Sequence, residues 1–306
     1  MLCFSLPFNA EEYKNKTLEI KIISSDTEKI SILKNLSGDL LITTTPSVGS
    51  QFFPKSKIMP RDQRPQYLYL FHSLVSPNEM YVKNSFKNYD YIFTPSQIVS
   101  QQIQDLIGKT SEVYETGYLL FDNLKPFQSK EKTSNKALIA PTWGEEGVAE
   151  ITARISEIIK FLDISNLKGV FRPHPMTDLA EYNLNRDIEV DTNKGLNNLH
   201  EYDLLITDYS GIALEYYFLT QKPVIFLDVP KKIKRKVNKN EKKLSLIEDS
   251  MRHIIGTTIT IDSLVGFELP IVLDKKKAKD FIFNVCGSSK VLERSIEIIE
   301  RDILDS

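Results

Sequence analysis

Residues 203–227 read DLLITDYSGIALEYYFLTQKPVIFL, and this stretch decides the predicted fold. Its two ends, Asp203–Thr207 and Pro223–Leu227, are short apolar runs of the kind that form buried strands. The segment between them, Ser210–Thr220, is longer and predicts a helix. Two strands joined through a helix pair in parallel, because the crossover returns the chain to the same edge of the sheet. The stretch therefore predicts an α/β fold.

The same alternation of short apolar runs and longer segments extends over most of the chain. The other predicted strands are Leu18–Ser24, Asp39–Thr43, Tyr67–Phe71, Asp90–Thr94, Val113–Thr116, Lys136–Ala140 and Lys168–Arg172. The other predicted helices begin at Asp26 and Ser96, or cover Gly147–Leu162, Met176–Leu184 and, in two pieces, residues 275–304. Alternating strands and helices are typical of parallel sheets covered by helices.

A polar segment interrupts the alternation at residues 125–136, which read KPFQSKEKTSNK. One proline and four lysines without apolar periodicity are typical of a linker. We therefore expect two domains, an N-terminal acceptor-side lobe over residues 1–128 and a C-terminal donor-binding lobe with terminal helices over residues 129–306. Each lobe is expected to be Rossmann-like with a parallel sheet, and the two lobes to face a cleft. One continuous doubly wound sheet is the alternative.

The overall composition excludes several classes of protein. The 306 residues carry 39 basic and 41 acidic side chains, and a net charge of −2 argues against a dedicated nucleic-acid binder. Cys3 and Cys286, at opposite ends of the chain, provide neither a zinc spacing nor a disulfide framework. The N-terminus has no basic leader, and no run of about 18 apolar residues is present. We therefore expect a cytoplasmic protein with no metal site.

Glycine-rich phosphate loops are absent from the sequence. There is no G-x-G-x-x-G motif, and Gly108-Lys109-Thr110 fails as a P-loop because Ile103 stands where the first glycine is needed. Acidic residues alternate over 187–191, but this pattern is more typical of a strand edge than of a metal site. Any phosphate binding is therefore expected to use hydroxyls and helix N-termini.

Ligands of parallel sheets bind beyond the carboxyl ends of the strands, so the residues after each predicted strand are the candidate site. His72 follows Tyr67–Phe71, and an imidazole that titrates near neutrality can take a proton from a hydroxyl. A histidine packed in the core is the alternative. Thr142 follows Lys136–Ala140 and offers a hydroxyl to an anion, although a turn packed around Trp143 explains it equally well.

The third candidate turn is Arg172-Pro173-His174-Pro175, which follows the predicted strand Lys168–Arg172. The two prolines stiffen the backbone on both sides of His174. An arginine and a histidine held on a rigid turn can face a phosphate group. A turn that merely ends a strand is the alternative.

The fourth candidate turn lies between the predicted strand and helix of the opening stretch. It contains Thr207, Asp208, Ser210 and Gly211, and it precedes unpaired amides at a helix N-terminus, which together form a ready anion site. An ordinary serine cap of the helix is the alternative. Glu215, just over one turn further on, could reach a ribose or could be a solvated helix residue.

Taken together, these motifs resemble a known family. They are HSLVS from His72, the Gly117-Tyr118 pair followed by Asp122, APTWG at 140–144, FRPHP at 171–175, LLITDYSG at 204–211 and KPVIFLDVP at 222–230. Their order and spacing are similar to those of the CDP-glycerol:poly(glycerophosphate) glycerophosphotransferases, which make teichoic acids and similar capsules. Pro230, Glu248, Arg252 and Gly256 also resemble residues of that family. The resemblance implies a GT-B fold whose C-terminal lobe binds a nucleotide-activated donor.

The resemblance also implies roles for the candidate residues. His72 matches the family's proposed general base and His174 matches a histidine near the donor pyrophosphate, so these two are the predicted catalytic residues. The implied donor-binding residues are Thr142, Arg172, Thr207, Asp208, Ser210, Gly211 and Glu215. The chain departs from the family where Ser-Leu-Val-Ser-Pro follows His72 in place of Gly-Thr-Pro-Leu-Lys, where Arg172 replaces a common lysine, and where Gly211 replaces the second serine of ITDYSS.

We therefore expect a transferase that moves glycerol phosphate or ribitol phosphate from a CDP-activated donor to a hydroxyl of a glycan or lipid-linked, teichoic-acid-like acceptor. CMP would be released, and no cofactor beyond the donor is expected. A GT-B glycosyltransferase that uses a nucleotide sugar for capsule or O-antigen synthesis is the first alternative. A non-catalytic scaffold that binds polysaccharide or lipid is the second.

Residues 231–243, KKIKRKVNKNEKK, carry eight basic side chains and one acidic side chain. A solvated loop is the simplest interpretation of this basic run. The run could also close over a phosphate-bearing donor or polymer, or contact anionic lipid, where each basic residue contributes about 1 kcal/mol. The lipid interpretation predicts a peripheral location at the inner face of the cell membrane.

Overall fold

The structure is a computed structural model of the chain. It describes residues 2–4, 20–22, 38–48, 60–104, 106–122, 134–175, 177–178, 180, 188–193, 195–196, 198–231, 246–287 and 289–304. Three predicted segments lie wholly or mostly outside these residues: the helix from Asp26, the helix Met176–Leu184 and the linker 125–136. The predicted domain boundary between residues 128 and 129 therefore stays a prediction.

Nine of the described strands lie close to the predicted positions, whereas the strands at Leu2–Phe4 and Gly256–Ile259 were not predicted. In chain order the strands are β1 (Leu2–Phe4), β2 (Ile20–Ile22), β3 (Leu40–Thr43), β4 (Gln66–Leu70), β5 (Tyr91–Thr94), β6 (Glu112–Glu115), β7 (Lys136–Ile139), β8 (Lys168–Phe171), β9 (Glu189–Val190), β10 (Leu204–Thr207), β11 (Val224–Leu227) and β12 (Gly256–Ile259). The alternating acidic residues over 187–191 overlap β9, which is an edge strand, as the sequence predicts.

The strands form one large sheet and two smaller ones. The large sheet has the order β12-β11-β10-β7-β8-β9, and every neighbouring pair in it is parallel. A second sheet has the order β3-β4-β5-β6, with β3 parallel to β4, and β1 pairs in parallel with β2. The predicted α/β fold with parallel sheets is confirmed.

Along the chain, helices lie between strands of the two larger sheets and after the last strand. The α-helices are α1 (Pro77–Met80), α2 (Gln97–Gln102), α3 (Glu145–Ala153), α4 (Ile155–Ile164), α5 (Ile212–Thr220), α6 (Ile247–Ile254), α7 (Ile261–Leu264), α8 (Lys275–Cys286) and α9 (Val291–Ile298). Short 3₁₀ turns cover Arg61–Gln63, Leu119–Asp122 and Leu199–Glu201, and a π-helical turn, Ile299–Leu304, follows α9. The two predicted pieces over residues 275–304 are confirmed.

The single helix predicted over Gly147–Leu162 is wrong, because the segment is divided into α3 and α4 at Arg154. The backbone of Arg154, with φ −112° and ψ 24°, departs from helical geometry. Its guanidinium pairs with Glu157, 3.3 Å away, and with Asp262 of α7. Apolar periodicity continues through the break, so the sequence gives no sign of it.

The core of the large sheet explains why its strands are almost wholly apolar. Every residue of β10 and β11 is buried, as expected for parallel strands covered on both faces. Ile158, Phe161 and Leu162 of α4 belong to the same buried cluster as residues of these strands. Each such side chain contributes about 1.5–3 kcal/mol when it is removed from water. The sheet is therefore a rigid base for the turns at its edge.

The chain divides into two compact units. The first comprises residues 1–69, 84–92 and 107–112, and the second comprises residues 70–83, 93–106 and 113–306. The segment 70–83, which carries His72, thus belongs to the same unit as the large sheet. All candidate site residues therefore lie in one unit.

A buried ion pair organises the first unit. The guanidinium of Arg64 donates a 2.7 Å hydrogen bond to Asp90 and lies over the ring of Tyr67, 3.8 Å from its centroid. The amide of Tyr67 donates to the same carboxylate at 2.7 Å. Asp90 is buried, so these partners offset the cost of removing its carboxylate from water.

Gly256, the first residue of β12, provides a test of the edge of the large sheet. An added Cβ would lie 2.0 Å from the carbonyl oxygen of Val224, its backbone partner in β11. We expect Gly256→Ala to lower the free energy of unfolding by about 2–3 kcal/mol in denaturant titrations. Gly266→Ala is the matched control, because its nearest heavy atom would lie 3.9 Å away. Equal stability of the two variants would contradict this packing.

Candidate active site

Buried hydrogen bonds join the turns that follow β7 and β10. The carboxylate of Asp208 accepts from the amide of Thr142 at 2.9 Å and from its hydroxyl at 2.8 Å. The hydroxyl of Thr207 donates to the carbonyl of Ala140 at 2.6 Å. Burial raises the pKa of Asp208, although the bonds from Thr142 oppose the rise. These three candidate residues hold the two turns together.

Arg172, at the end of β8, is buried and its guanidinium is used within the protein. It donates to Asp191 at 3.0 Å, to the side chain of Asn198 at 2.6 Å and to the carbonyl of Gly195 at 3.3 Å. Burial alone would raise the pKa of Asp191, but hydrogen bonds from Arg172, from the amide of Asn193 and from the hydroxyl of Tyr202 lower it to about 2. The geometry gives Arg172 a structural role in the turn, and its contact with a donor stays a prediction.

His174 lies two residues beyond Arg172, against the turn that follows β7. Its ring stacks on that of Trp143, with centroids 6.0 Å apart and planes inclined by 29°. Both residues are half-buried, so each ring keeps part of its surface exposed. The single tryptophan of the chain thus fixes the predicted catalytic histidine at the edge of the large sheet.

The turn between β10 and α5 approaches the segment that carries His72. Gly211 caps α5 without a side-chain hydrogen bond, so Ser210 is not the ordinary serine cap that the sequence allowed. A Cβ on Gly211 would lie 2.9 Å from the carbonyl oxygen of Leu74. Glycine at this position, where the resembling family has serine, therefore permits the backbone of Leu74 to lie directly on the turn.

His72 itself is exposed, and the side chain of Tyr118 forms a hydrogen bond with its backbone. The hydroxyl of Tyr118 lies 3.1 Å from the carbonyl oxygen of His72 and 3.1 Å from Oε1 of Glu215 in α5. Burial raises the pKa of Glu215 to about 7, although the hydrogen bond from Tyr118 opposes the rise. The structure thus links the Glu215 carboxyl to the backbone of His72 through Tyr118.

A second contact holds the same segment from the side of α6. The amide of Ser76 donates to Glu248 at 2.7 Å, and the hydroxyl of Ser76 accepts from the amide of Ile247 at 2.8 Å. Glu248 is buried, and burial raises the pKa of its carboxyl. These two hydrogen bonds of Ser76 fix the segment to the first turn of α6.

Two cations surround Tyr209 beside this contact. The guanidinium of Arg252 lies 4.2 Å from the ring centroid of Tyr209, and the ammonium of Lys231 lies 5.2 Å from it. Lys231 also pairs with Glu79 at 2.8 Å. Lys231 begins the predicted basic run, and the remainder of that run lies outside the described residues.

The described residues lack the features of a metal cluster and of a membrane-spanning helix. Side chains of His, Cys, Asp and Glu nowhere gather in threes that could hold a metal ion within these residues. None of the helices in the same part of the chain has the length and apolar character needed to span a bilayer.

A family model decides which proteins this chain is related to. The model of the CDP-glycerol:poly(glycerophosphate) glycerophosphotransferases matches residues 56–235, which is more than half of the chain. The chain belongs to this family. This glycerophosphotransferase is thus a transferase of the CDP-glycerol type, as the motifs predict.

Solved structures agree with the fold of a glycerophosphotransferase. The H548A variant of the wall teichoic acid polymerase TagF is 15% identical, with a TM-score of 0.56 over 94% of this chain and 78% of that one. MnaA of S. aureus with UDP is 14% identical, with a TM-score of 0.57 over 94% and 86%. The UDP-GlcNAc 2-epimerase of Methanocaldococcus jannaschii is 18% identical, with a TM-score of 0.53 over 90% and 79%. These likenesses confirm the GT-B-like fold.

No curated protein sequence matches the chain. The roles of individual residues in this glycerophosphotransferase therefore stay predictions. Sequence reasoning found the residues that follow strands, but it missed the roles of Tyr118, Ser76 and Asp191. Tyr118 and Glu248 were noticed only as part of the resemblance, without a role.

The Arg172–Asp191 pair provides a test of its structural role. We expect Asp191→Ala to lower the free energy of unfolding at pH 7 by about 3–5 kcal/mol, because Arg172 keeps a buried charge without its partner. The pKa of Asp191 is lowered from 3.8 to about 2, so its contribution is present above pH 4 and is lost as the pH falls through 2. The difference from wild type should shrink over that interval in denaturant titrations.

The control for this experiment is Asp280→Ala, which removes an exposed aspartate of α8. A change of less than about 0.5 kcal/mol is expected there. If Asp191→Ala is as mild as the control at pH 7, the guanidinium of Arg172 is not held for structural reasons and is available to a ligand.

Proposed function

We propose that this protein transfers glycerol phosphate or ribitol phosphate from a CDP-activated donor to a hydroxyl of a teichoic-acid-like or capsule acceptor, with release of CMP. Membership of the family supports the CDP-glycerol type of donor. The observation that carries the proposal is the approach of the His72 segment to the turn before α5, where Gly211 faces the carbonyl of Leu74. A candidate base and a candidate phosphate site thus lie within one unit.

In the proposed reaction, His72 accepts the proton of the acceptor hydroxyl. The oxygen forms a bond to the β-phosphorus of the donor, and the bond from that phosphorus to the bridging oxygen breaks. CMP leaves with the bonding electron pair. An exposed imidazole suits this role, because it can meet a large acceptor and because imidazole is the usual side chain for general base catalysis.

Charge that develops on the phosphates is proposed to meet His174, Ser210 and the N-terminus of α5. Such stabilisation is the main contribution of proteins to phosphoryl transfer. Ser210 suits it because its hydroxyl does not cap the helix and forms no hydrogen bond among the described residues. Thr142, Thr207 and Asp208 contribute by holding this turn, through the bonds described above.

The proposed acceptor is a glycan or a lipid-linked polymer, and we propose weak peripheral contact with an anionic membrane through the basic run 231–243. Eight basic side chains in this run support the proposal. Replacing Lys232, Lys234, Arg235 and Lys236 by glutamine should weaken cosedimentation with phosphatidylglycerol vesicles by at least about 10-fold. Phosphatidylcholine vesicles are the control, and equal loss on both would contradict an electrostatic contact.

A donor panel tests the proposed reaction. CDP-glycerol, CDP-ribitol and UDP-linked sugars are supplied with a teichoic-acid-like acceptor, and released nucleotide and transferred phosphate are measured together. We expect CMP and phosphate transfer in equal amounts with one CDP-polyol. Release of UDP from a sugar donor, without phosphate transfer, would instead establish a GT-B glycosyltransferase.

A substitution of His72 tests its assignment as the general base. His72→Ala should lower kcat by about 100- to 10,000-fold and leave donor affinity within about twofold, because the general base acts on the acceptor. His253→Ala, an exposed histidine of α6, is the matched control and should keep wild-type turnover. Wild-type turnover of His72→Ala would show that another group takes the proton.

A further inference from the structure

Tyr118 lies between two acceptors and has one proton for them. Its hydroxyl oxygen lies 3.1 Å from both the carbonyl oxygen of His72 and Oε1 of Glu215. Tyr118 is 1% exposed, so its own hydroxyl is shielded from bulk water. A phenol donates a single hydrogen bond, and an ionised carboxylate only accepts. The two acceptors therefore compete whenever Glu215 is ionised.

The competition disappears when Glu215 is neutral. Its carboxyl then donates to the oxygen of Tyr118, and Tyr118 donates to the carbonyl of His72, so every group in the chain of bonds is satisfied. When Glu215 is ionised, the phenol favours the carboxylate, because hydrogen bonds to charged acceptors are about twice as strong. The carbonyl of His72 then loses this donor.

The surroundings of Glu215 favour the neutral form. The titratable groups that face the pair are the phenol of Tyr118, the thiol of Cys286 at the end of α8 and the phenol of Tyr81. No cation from the described residues contributes to the titration of this carboxyl, and burial raises its pKa to about 7. The carboxyl is thus neutral over the lower part of the physiological range and ionised above it.

We propose that Glu215 and Tyr118 are positioning residues that hold His72 in place through a chain of two hydrogen bonds, and that ionisation of Glu215 releases it. This inference rests on the proposed role of His72 as the base. Turnover then requires a neutral imidazole on His72 and a neutral carboxyl on Glu215. The first requirement makes kcat rise with pH, and the second makes it fall above the pKa of Glu215.

The test is the pH profile of kcat with CDP-glycerol in three variants of the full chain. Glu215→Gln cannot ionise and its amide donates to Tyr118 at every pH, so the decline above pH 7 should vanish while the rise at lower pH remains. Tyr118→Phe should lower kcat about 10-fold, with KM for the donor within about twofold, and should also lose the decline. Tyr216→Phe is the control, because its buried hydroxyl donates to the carbonyl of Tyr202, and it should keep the wild-type profile.

The double variant Tyr118→Phe with Glu215→Gln should be no slower than Tyr118→Phe, because both changes interrupt one chain of bonds. A wild-type decline in Glu215→Gln would overturn the proposal, as would additive losses in the double variant. Circular dichroism and thermal unfolding confirm that each variant is folded before its profile is interpreted.

A second measurement does not depend on turnover. Hydrogen–deuterium exchange of residues 72–76, corrected for the intrinsic pH dependence, should be faster at pH 8 than at pH 6 in wild type and equal at both in Glu215→Gln. Equal exchange at both pH values in wild type would overturn the proposal. A faster exchange at pH 8 in a protein that is inactive with every donor would support the hydrogen-bond chain and contradict the proposed function alone.

Discussion

Parallel pairing of β7, β8 and β10 is the constraint on which the rest of the site depends. Parallel strands end at the same edge, so three turns that are far apart in the sequence meet there. The Asp208–Thr142 bonds and the Trp143–His174 stack are consequences of this arrangement. A strand that entered in the opposite direction would separate these partners, however favourable each contact is.

Hydrogen bonds within the protein offset the cost of burying the polar groups at this edge. Arg172 would be costly to bury alone, and Asp191, Asn198 and a backbone carbonyl divide its donors between them. The hydroxyl of Ser76 accepts a hydrogen bond from Ile247, and its amide donates one to Glu248. These two bonds join the His72 segment to α6. Such networks orient backbone as well as side chains. The candidate site is therefore positioned by residues that need not touch a substrate.

The sequence was sufficient for the parts of this fold that depend on local patterns. Apolar runs predicted the strands, and residues after the strands supplied Thr142, His174 and Ser210, because turn chemistry is local.

The hydrogen-bond partners of these segments were not predictable in the same way. Tyr118 and Glu215 are 97 residues apart, and Ser76 and Glu248 are 172 residues apart, with no pattern that links them. The break at Arg154 also escaped, because the apolar periodicity continues through it. α6 was not predicted, although its apolar residues Ile247, Met251 and Ile254 follow helical spacing.

The two anchors on either side of residues 232–245 have a consequence for the length of chain that can join them. Lys231 binds Glu79 and Ile247 binds Ser76, so both ends of that stretch return to the same turn of chain. Once both ends are fixed near each other, the entropy of closing the intervening chain grows only slowly, by about 0.6 kcal/mol for each doubling of its length. A longer or shorter connection between the same two anchors would therefore change the closure entropy little.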